Sequence, residues 1–188
     1  SDDDSEESTN KVKEGNALIG AYDKAGKLIW SWHIWVTNGD PREETITLNG
    51  EEMMNRNLGA FTNSNGSTDG AEIFRSYGLY YQWGNKNPFV GPQRYNFPGN
   101  HDDILYDNKE YNVYLEYEAS SAKVGSLEWS NANPMALIKG NKDNDYDWLF
   151  EGHDNTLWSE DSKTDNDPCP AGWRVPSKSV FENLTIAA

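Results

Sequence analysis

The sequence predicts an α+β domain that is mostly antiparallel β-sheet, rich in loops and poor in helix. Three observations support this fold class. Short runs of apolar and aromatic residues are bounded by Gly, Pro, Asn and Asp, which is typical of short strands and tight turns. Aromatic residues make up 13% of the chain, and their large burial energies offset a mean hydropathy of -0.87. The length of 188 residues suits one domain that buries a core without disulfide bonds.

The clearest predicted element is a β-hairpin near the N-terminus. ALIGAYD predicts one strand, KAGK a turn, and LIWSWHIWVT a second strand. The two-residue period of a strand puts Trp30 and Trp32 on one face of the second strand and Trp35 on the other. Because both faces are apolar, we expect a central strand that is covered on both sides, with Trp30 and Trp32 buried.

Shorter elements follow this hairpin. TITL predicts a strand that ends in a turn at Asn49–Gly50, and LEWSNANPMALIKG predicts a short strand or sheet edge. SKSVFENL predicts the start of a helix with Ser177 or Ser179 as the N-cap, and Ser179 with Glu182 fits a capping box. Three long segments are interpreted as loops, at residues 62–70, 90–112 and 141–166.

Charge and composition divide the chain and limit its partners. Residues 1–15 are acidic and Ser-rich, so we expect a flexible tether there and a single domain over residues 16–188. The formal net charge of -15 repels phosphate backbones and anionic membrane surfaces, so nucleic acid is not an expected partner. No run approaches the roughly 20 apolar residues of a transmembrane helix, so no transmembrane segment is expected in this chain.

The residues that could support catalysis do not form a recognisable motif. Cys169 is the only cysteine and lies between two prolines, so we interpret it as a small buried thiol rather than a redox or metal site. His33, in the Trp-rich strand, is interpreted as packed and hydrogen-bonded, and His101 and His153 as solvated loop residues. The chain has no G-x-S-x-G, H-E-x-x-H or P-loop motif, and no spacing singles out a pair of carboxylates. The sequence therefore predicts a domain that is not an enzyme.

One loop is dense in oxygen ligands. Calcium takes about six to eight oxygens, which flexible acidic loops supply. The spacing in residues 141–155 is not that of an EF-hand, because the required Gly and distal Glu are missing. A solvated acidic loop is the alternative interpretation, and calcium is the only cofactor considered. The candidate calcium ligands are Asp143, Asp145, Asp147 and Asp154.

Aromatic residues in predicted loops are the candidate ligand-binding residues. Sugar rings stack on flat aromatic faces, and Trp and Tyr anchor many protein interfaces. Loops on a rigid scaffold are where binding residues usually lie. The candidates are Trp129, Tyr146, Trp148 and Trp158.

Several segments together resemble a known family. In this order, the chain contains NALIGAYDKAGKLIWSWHIWVT, MNRNLGA, GLYYQWGNKNPF, DYDW, NTLW and DPCPAGWRVPS. They resemble the C-terminal domains of Bacteroides-type fimbrillin-like proteins and the Fibrobacter-type major paralogous domain, over residues 16–185. The resemblance implies a C-type lectin-like fold, as in domains related to formylglycine-generating enzyme. It also implies a secreted protein of the extracellular or outer-membrane cell surface, often a lipoprotein or a fimbrial tip component, with Trp83 and Trp173 in the core.

Three functional hypotheses follow. The first is a non-catalytic cell-adhesion domain, adhesin-like or at a pilus tip, whose loops recognise a glycan or protein ligand. The second is a structural subunit of a pilus or surface assembly whose partner is another subunit, and the third is a hydrolytic enzyme. Exposed loop aromatics would favour the first, and an unpaired edge strand the second. In domains of this kind further strands follow the GWRVPS helix, whereas the chain ends at Ala188, so we expect a sheet that is completed differently or lacks its last strands.

Overall fold

The computed structural model describes residues 13–89 and 116–184. These residues form six short strands, two short α-helices and two 3-10 turns, joined by long loops. This confirms an α+β, loop-rich, mostly antiparallel architecture with little helix. Most of the expected tether, the loop 90–112 and His101 lie outside the described residues. The elements are β1 (Gly15–Tyr22), β2 (Leu28–Val36), β3 (Thr45–Leu48), β4 (Glu51–Met54), α1 (Gly70–Arg75), β5 (Glu116–Ala119), α2 (Leu127–Ala132) and β6 (Ala136–Lys139), with 3-10 turns at Lys142–Asn144 and Lys178–Phe181.

The N-terminal hairpin is confirmed. β1 and β2 pair antiparallel, with a register that begins at Gly15 opposite Val36. The Asp23 carboxylate accepts the backbone N–H of Lys27 at 2.8 Å and closes the turn between the strands. Gly26 adopts a φ of 82°, a left-handed conformation that glycine reaches without steric cost.

The environment of β2 differs from the prediction. Among the described residues β2 pairs only with β1, so the expectation of a central strand is wrong there. On one face Ser31 is buried and Trp35 half-buried. On the opposite face Trp32 and Ile34 are exposed. Trp30 is half-buried, and Trp32 is exposed rather than buried. The period of two identifies the residues that share a face, but it does not say whether another element covers that face.

A second hairpin packs near the C-terminal end of the described chain. β3 and β4 pair antiparallel around Asn49–Gly50, which confirms the predicted turn. Asn49 and Gly50 both have positive φ, as a two-residue hairpin turn requires. The Asn49 side-chain amide donates to the Val180 carbonyl at 2.9 Å and links this hairpin to the last 3-10 turn. β4 was not predicted, because EEMM has little intrinsic strand preference.

Helices appear where the sequence indicated loop or strand. α1 begins after Asp69, whose carboxylate accepts the N–H groups of Ala71 and Glu72. In LEWSNANPMALIKG the first half is α2, begun by the Ser126 hydroxyl, which accepts the Trp129 N–H at 3.2 Å, and only the second half is strand β6. β6 pairs in parallel with β5, a non-local pairing that periodicity does not reveal.

The predicted C-terminal helix is only one 3-10 turn, Lys178–Phe181. Ser177 occupies its N-cap position but makes no side-chain capping bond. Its hydroxyl instead lies 2.6 Å from the Ser179 hydroxyl, so the capping box of Ser179 and Glu182 does not form.

The buried residues fall into separate clusters. Ile138, Trp148 and Leu157 form one cluster, and Phe61 with Phe74 forms another. A buried polar network connects β2 to α2. In it the Ser31 hydroxyl donates to Asn87 Oδ1, and Asn85 Nδ2 donates to the Ser130 hydroxyl, each at 2.9 Å. In the part of the chain that the structure describes, no helix has the length and apolar character needed to cross a membrane.

Candidate functional site

The four candidate binding aromatics do not form one surface. Trp148 and Trp158 are buried, and their indole N–H groups donate to the backbone carbonyls of Trp83 and Asn166. Trp129 is half-buried against the Ile138 cluster. Tyr146 is 73% exposed. The fold therefore places three of the four side chains wholly or partly in the interior and one at the surface.

The loop that carries Tyr146 has a constrained backbone. Asp145 and Tyr146 are consecutive non-glycine residues with φ of 52° and 62°. Such left-handed residues cost on the order of 1 kcal/mol each, which the surrounding packing must offset. The loop closes over Gly140, where an added Cβ would lie 2.0 Å from the Asp147 carbonyl oxygen. Close contact with a glycine backbone therefore holds the loop in place.

The candidate calcium ligands are partly engaged by protein groups. Asp143 and Asp145 are exposed. The Asp147 carboxylate lies 2.6 Å from His153 Nδ1, and Asp154 accepts the backbone N–H and hydroxyl of Thr156. No group of three or more His, Cys, Asp or Glu within residues 13–89 and 116–184 is arranged to hold a metal ion. Calcium binding in this loop stays a prediction.

Trp83 lies beside this loop. The resemblance implied a core position, but Trp83 is exposed, so that expectation is wrong, and Trp173 is half-buried. The Trp83 ring centroid lies 5.0 Å from that of Trp158 and 6.1 Å from that of His153. The hydrogen bond to the Asp147 carboxylate raises the pKa of His153, whose ring lies next to the exposed indole.

The outer face of the β1–β2 hairpin is the exposed apolar surface that sequence analysis missed. Ile19, Trp32 and Ile34 are 52%, 49% and 42% exposed. Ile19 pairs directly with Trp32 across the two strands, and Ile34 follows two residues later on the same face. We call these three residues the hairpin face. Sequence analysis missed this surface because apolar residues at every second position of a strand look the same whether or not another element covers that face.

A groove of about 670 Å³ lies beside the hairpin face. One wall is formed by residues 30–37, which are most of β2 and the residue after it. The other includes Pro168, Cys169 and Pro170. This second wall is held by Asp167, whose fully buried carboxylate accepts the backbone N–H groups of Cys169 and Val175, each at 2.8 Å, and pairs with Lys163.

Lys86 lies at one end of this groove. Its ammonium donates to the Ser31 carbonyl at 3.0 Å and to the Ser31 hydroxyl at 2.6 Å. It also lies 4.3 Å from the centroid of the Trp30 ring, a cation–π contact. Burial lowers the pKa of Lys86 to about 8, so it stays mostly cationic at neutral pH.

Two ionisable groove residues, His33 and Cys169, are held neutral. Burial lowers the pKa of His33 to about 4, and its ring nitrogens bond to the Asn16 side chain and the Tyr81 hydroxyl. Burial, with the nearby Asp167 carboxylate, raises the pKa of the Cys169 thiol to about 12. A thiol needs to ionise to act as a nucleophile. Cys169 is therefore not an activated nucleophile, and His33 is a weak base.

Comparison of the chain with models of protein families, with curated proteins and with solved structures gave no match. The likeness to fimbrillin-like and major paralogous domains, and to the C-type lectin fold, therefore stays a prediction. Function has to be argued from the surfaces described above.

Proposed function

We propose that this chain is a non-catalytic cell-surface binding domain, adhesin-like or at a pilus tip, that binds a protein partner through the hairpin face. The observation that carries the proposal is the exposure of Ile19, Trp32 and Ile34 side by side. Contiguous exposed apolar groups on a soluble domain mark interaction sites, and a tryptophan flanked by aliphatic residues is a common anchor.

The nature of this surface favours a protein over a glycan. Sugar recognition combines a flat aromatic ring with nearby hydrogen-bonding groups, whereas Trp32 is flanked by two isoleucines. The buried positions of Trp148 and Trp158 leave Tyr146 as the exposed member of the four loop candidates. A protein partner would remove the isoleucine side chains from water, which a polar sugar would do less well.

The cell-surface location and the lectin-like scaffold are supported by the sequence resemblance. The neutral thiol of Cys169 and the low basicity of His33 support a role without catalysis by these two residues. The net charge of -15 supports a partner other than nucleic acid.

A structural subunit of a surface assembly is the second candidate. One observation favours it: within the described ranges, β2 has a neighbouring strand on only one side. An unpaired strand edge is a template for a strand of another chain. Such a subunit would use the same hairpin, so the two candidates differ in the identity of the partner rather than in the surface.

Arrays of glycans and of surface proteins test the proposal. The double variant Trp32→Thr and Ile34→Thr keeps strand-forming residues but removes the apolar side chains. We expect each lost anchor to weaken protein binding by about 2 kcal/mol, or roughly thirtyfold. Ile46→Thr is a matched control, because Ile46 is a strand residue that is 46% exposed on the other hairpin.

Tyr146→Ser separates the loop hypothesis from the hairpin hypothesis. If Tyr146→Ser abolishes binding and the double hairpin variant binds like the unmodified chain, the loop is the site and the proposal is wrong. Turnover of any arrayed substrate would contradict the non-catalytic role. Circular dichroism of each variant confirms that the fold is intact.

A further inference from the structure

The groove follows the edge of β2 rather than either of its faces. It is lined by eight consecutive residues, 30–37, and successive side chains in a strand point to opposite faces. A depression on one face would be lined by alternate residues. At a rise of roughly 3.3 Å per residue these eight residues extend for roughly 23 Å, the length of an extended segment of about seven residues. The groove is therefore long and narrow, like the path of a polypeptide strand.

Lys86 identifies which edge of β2 this is. Its ammonium contacts the Ser31 hydroxyl on one face and the Trp30 ring on the other, so it reaches around the edge of the strand. No residue of β1 lines the groove in the part of the chain that the structure describes. The groove thus lies along the edge opposite to β1.

This edge has backbone groups to offer. Lys86 bonds to the Ser31 carbonyl, which therefore points away from β1. Residues two apart in an antiparallel strand direct their N–H and C=O groups to the same side, so His33 and Trp35 also point into the groove. Among described residues, no backbone hydrogen bond reaches β2 except from its hairpin partner. Strand-edge groups without a strand partner are available to water or to an added strand, so an occupant can supply partners here.

The proline segment of the groove has no free N–H to supply, and its Cys169 and Pro170 carbonyls already accept from Lys163 and the Trp173 N–H. Pro168 and Pro170 lack a backbone N–H, and the Cys169 N–H is bonded to the Asp167 carboxylate. The proline rings instead provide an apolar surface. An occupant would hydrogen-bond to β2 on one side and pack side chains against the prolines and the hairpin face.

Charge indicates the chemistry of the occupant. The chain has a net charge of -15, and the groove rim carries the carboxylates of Asp40 and Asp165. Arg42 neutralises Asp40 through an ion pair at 2.6 Å, whereas Asp165 is exposed. A second copy of this chain would bring the same strong negative charge to the groove and be repelled. The Lys86 ammonium adds a positive charge at one end of the groove, so a segment with Lys or Arg at its other end would be attracted.

We infer that an extended polypeptide segment of a different protein, with apolar residues at alternate positions and Lys or Arg at the end distant from Lys86, adds as a third strand to β2. It pairs beside His33 and Trp35 with the edge that has no strand partner among the described residues. This inference rests on the proposed function, because it specifies how the partner of the hairpin face is held. Main-chain hydrogen bonds to β2 supply part of the affinity, and alternate side chains supply specificity.

A peptide probe tests strand addition with the full chain. The probe is a synthetic peptide of about nine residues in which Val and Thr alternate between terminal lysines. Two further versions carry backbone N-methyl groups at alternate residues, one version in each phase. Because a strand pairs with a single edge through every second residue, one methylated version should bind at least about tenfold more weakly than the other. Hydrogen exchange at the His33 and Trp35 amides should slow when the unmethylated peptide binds.

The outcomes separate the inference from the proposed function. If both methylated peptides bind as tightly as the parent, and Trp32→Thr with Ile34→Thr abolishes that binding, the hairpin face binds through side chains and strand addition is wrong. Failure of the parent peptide to bind at millimolar concentration also overturns the inference, while the arrays still decide the proposed function. Concentration-dependent dimers that protect the His33 and Trp35 amides would show that a second copy is the occupant, contrary to the inference.

Discussion

Acidification should destabilise this protein through His33, and replacing His33 by Gln should remove that effect. The Asn16 side-chain amide donates to the Gly59 carbonyl, so its Oδ1 faces His33 Nε2 at 2.8 Å and accepts from it. The other ring nitrogen, Nδ1, lies 3.2 Å from the Tyr81 hydroxyl, which donates to it. This arrangement fits the neutral imidazole protonated at Nε2, and a second proton would break the bond from Tyr81.

The size of this destabilisation follows from the pKa of His33 in the folded and the unfolded state. Burial lowers it from 6.5 to about 4 on folding. Between these values the unfolded chain binds a proton that the folded chain excludes. The stability associated with neutral His33 is therefore fully present above pH 6.5 and is lost as the pH falls towards about 4. The difference corresponds to about 3 kcal/mol of unfolding free energy, a large part of the total for a domain of this size.

Urea unfolding at several pH values between about 7 and about 4 measures this effect. Over this interval the unfolding free energy of the unmodified chain should fall by about 3 kcal/mol more than that of His33→Gln. The carboxylates titrate in both proteins, so their effect cancels in this comparison. His153→Gln is the matched control, since His153 is exposed and its pKa is raised. The stabilising contribution of His153 is present below its unfolded pKa and is lost as the pH rises through its folded pKa. This pH dependence is opposite in sign to that of His33. Equal pH dependence of the unmodified chain and His33→Gln, or an NMR titration of His33 near 6.5, would refute the reasoning.

Two further predictions test the contacts that hold the loop around Gly140 and the proline segment of the groove in place. Gly140→Ala should cost about 3 kcal/mol or more in urea unfolding, because the new Cβ would lie 2.0 Å from the Asp147 carbonyl oxygen. Gly15→Ala should change stability by less than about 0.5 kcal/mol, since its Cβ would meet nothing within 4 Å, and similar losses in the two variants would contradict the packing argument. Asp167→Asn should lower the unfolding free energy by about 2 kcal/mol or more, because an amide turned towards two backbone N–H groups leaves a buried donor unpaired. An unchanged melting temperature for Asp167→Asn would show that this carboxylate does not hold the proline wall.

Local signals in the sequence predicted the local elements. The turn at residues 24–27 and the Asn49–Gly50 turn both depend on residues that adopt positive φ or bond to their own backbone, and both appear where expected. The packed, hydrogen-bonded state of His33 was also predicted, whereas Cys169, predicted to be buried, is half-buried. These features depend on a few neighbouring residues and on the apolar character of the segment.

Elements of weak or mixed preference were predicted less well. α1 and α2 are each six residues long, and their N-caps, Asp69 and Ser126, lie in segments that otherwise indicate loop or strand. Isolated helices of this length are not stable, so their existence depends on contacts with the rest of the domain. The parallel pairing of β5 with β6 is likewise non-local, and no periodicity in either strand indicates it.

The sequence by itself determined which residues share a face of β2, because side chains alternate along any strand. Only the tertiary structure decided that the face carrying Trp32 is open and that the one carrying Ser31 is closed, because burial depends on where distant segments pack. The same holds for Lys86, which is far from Ser31 in sequence yet lies at the edge of β2 opposite to β1. It also holds for Trp148, a loop aromatic that the fold draws inward to pack against Ile138. The sequence therefore identifies the apolar side chains of the candidate site. Their exposure depends on how the elements pack together, which only the structure shows.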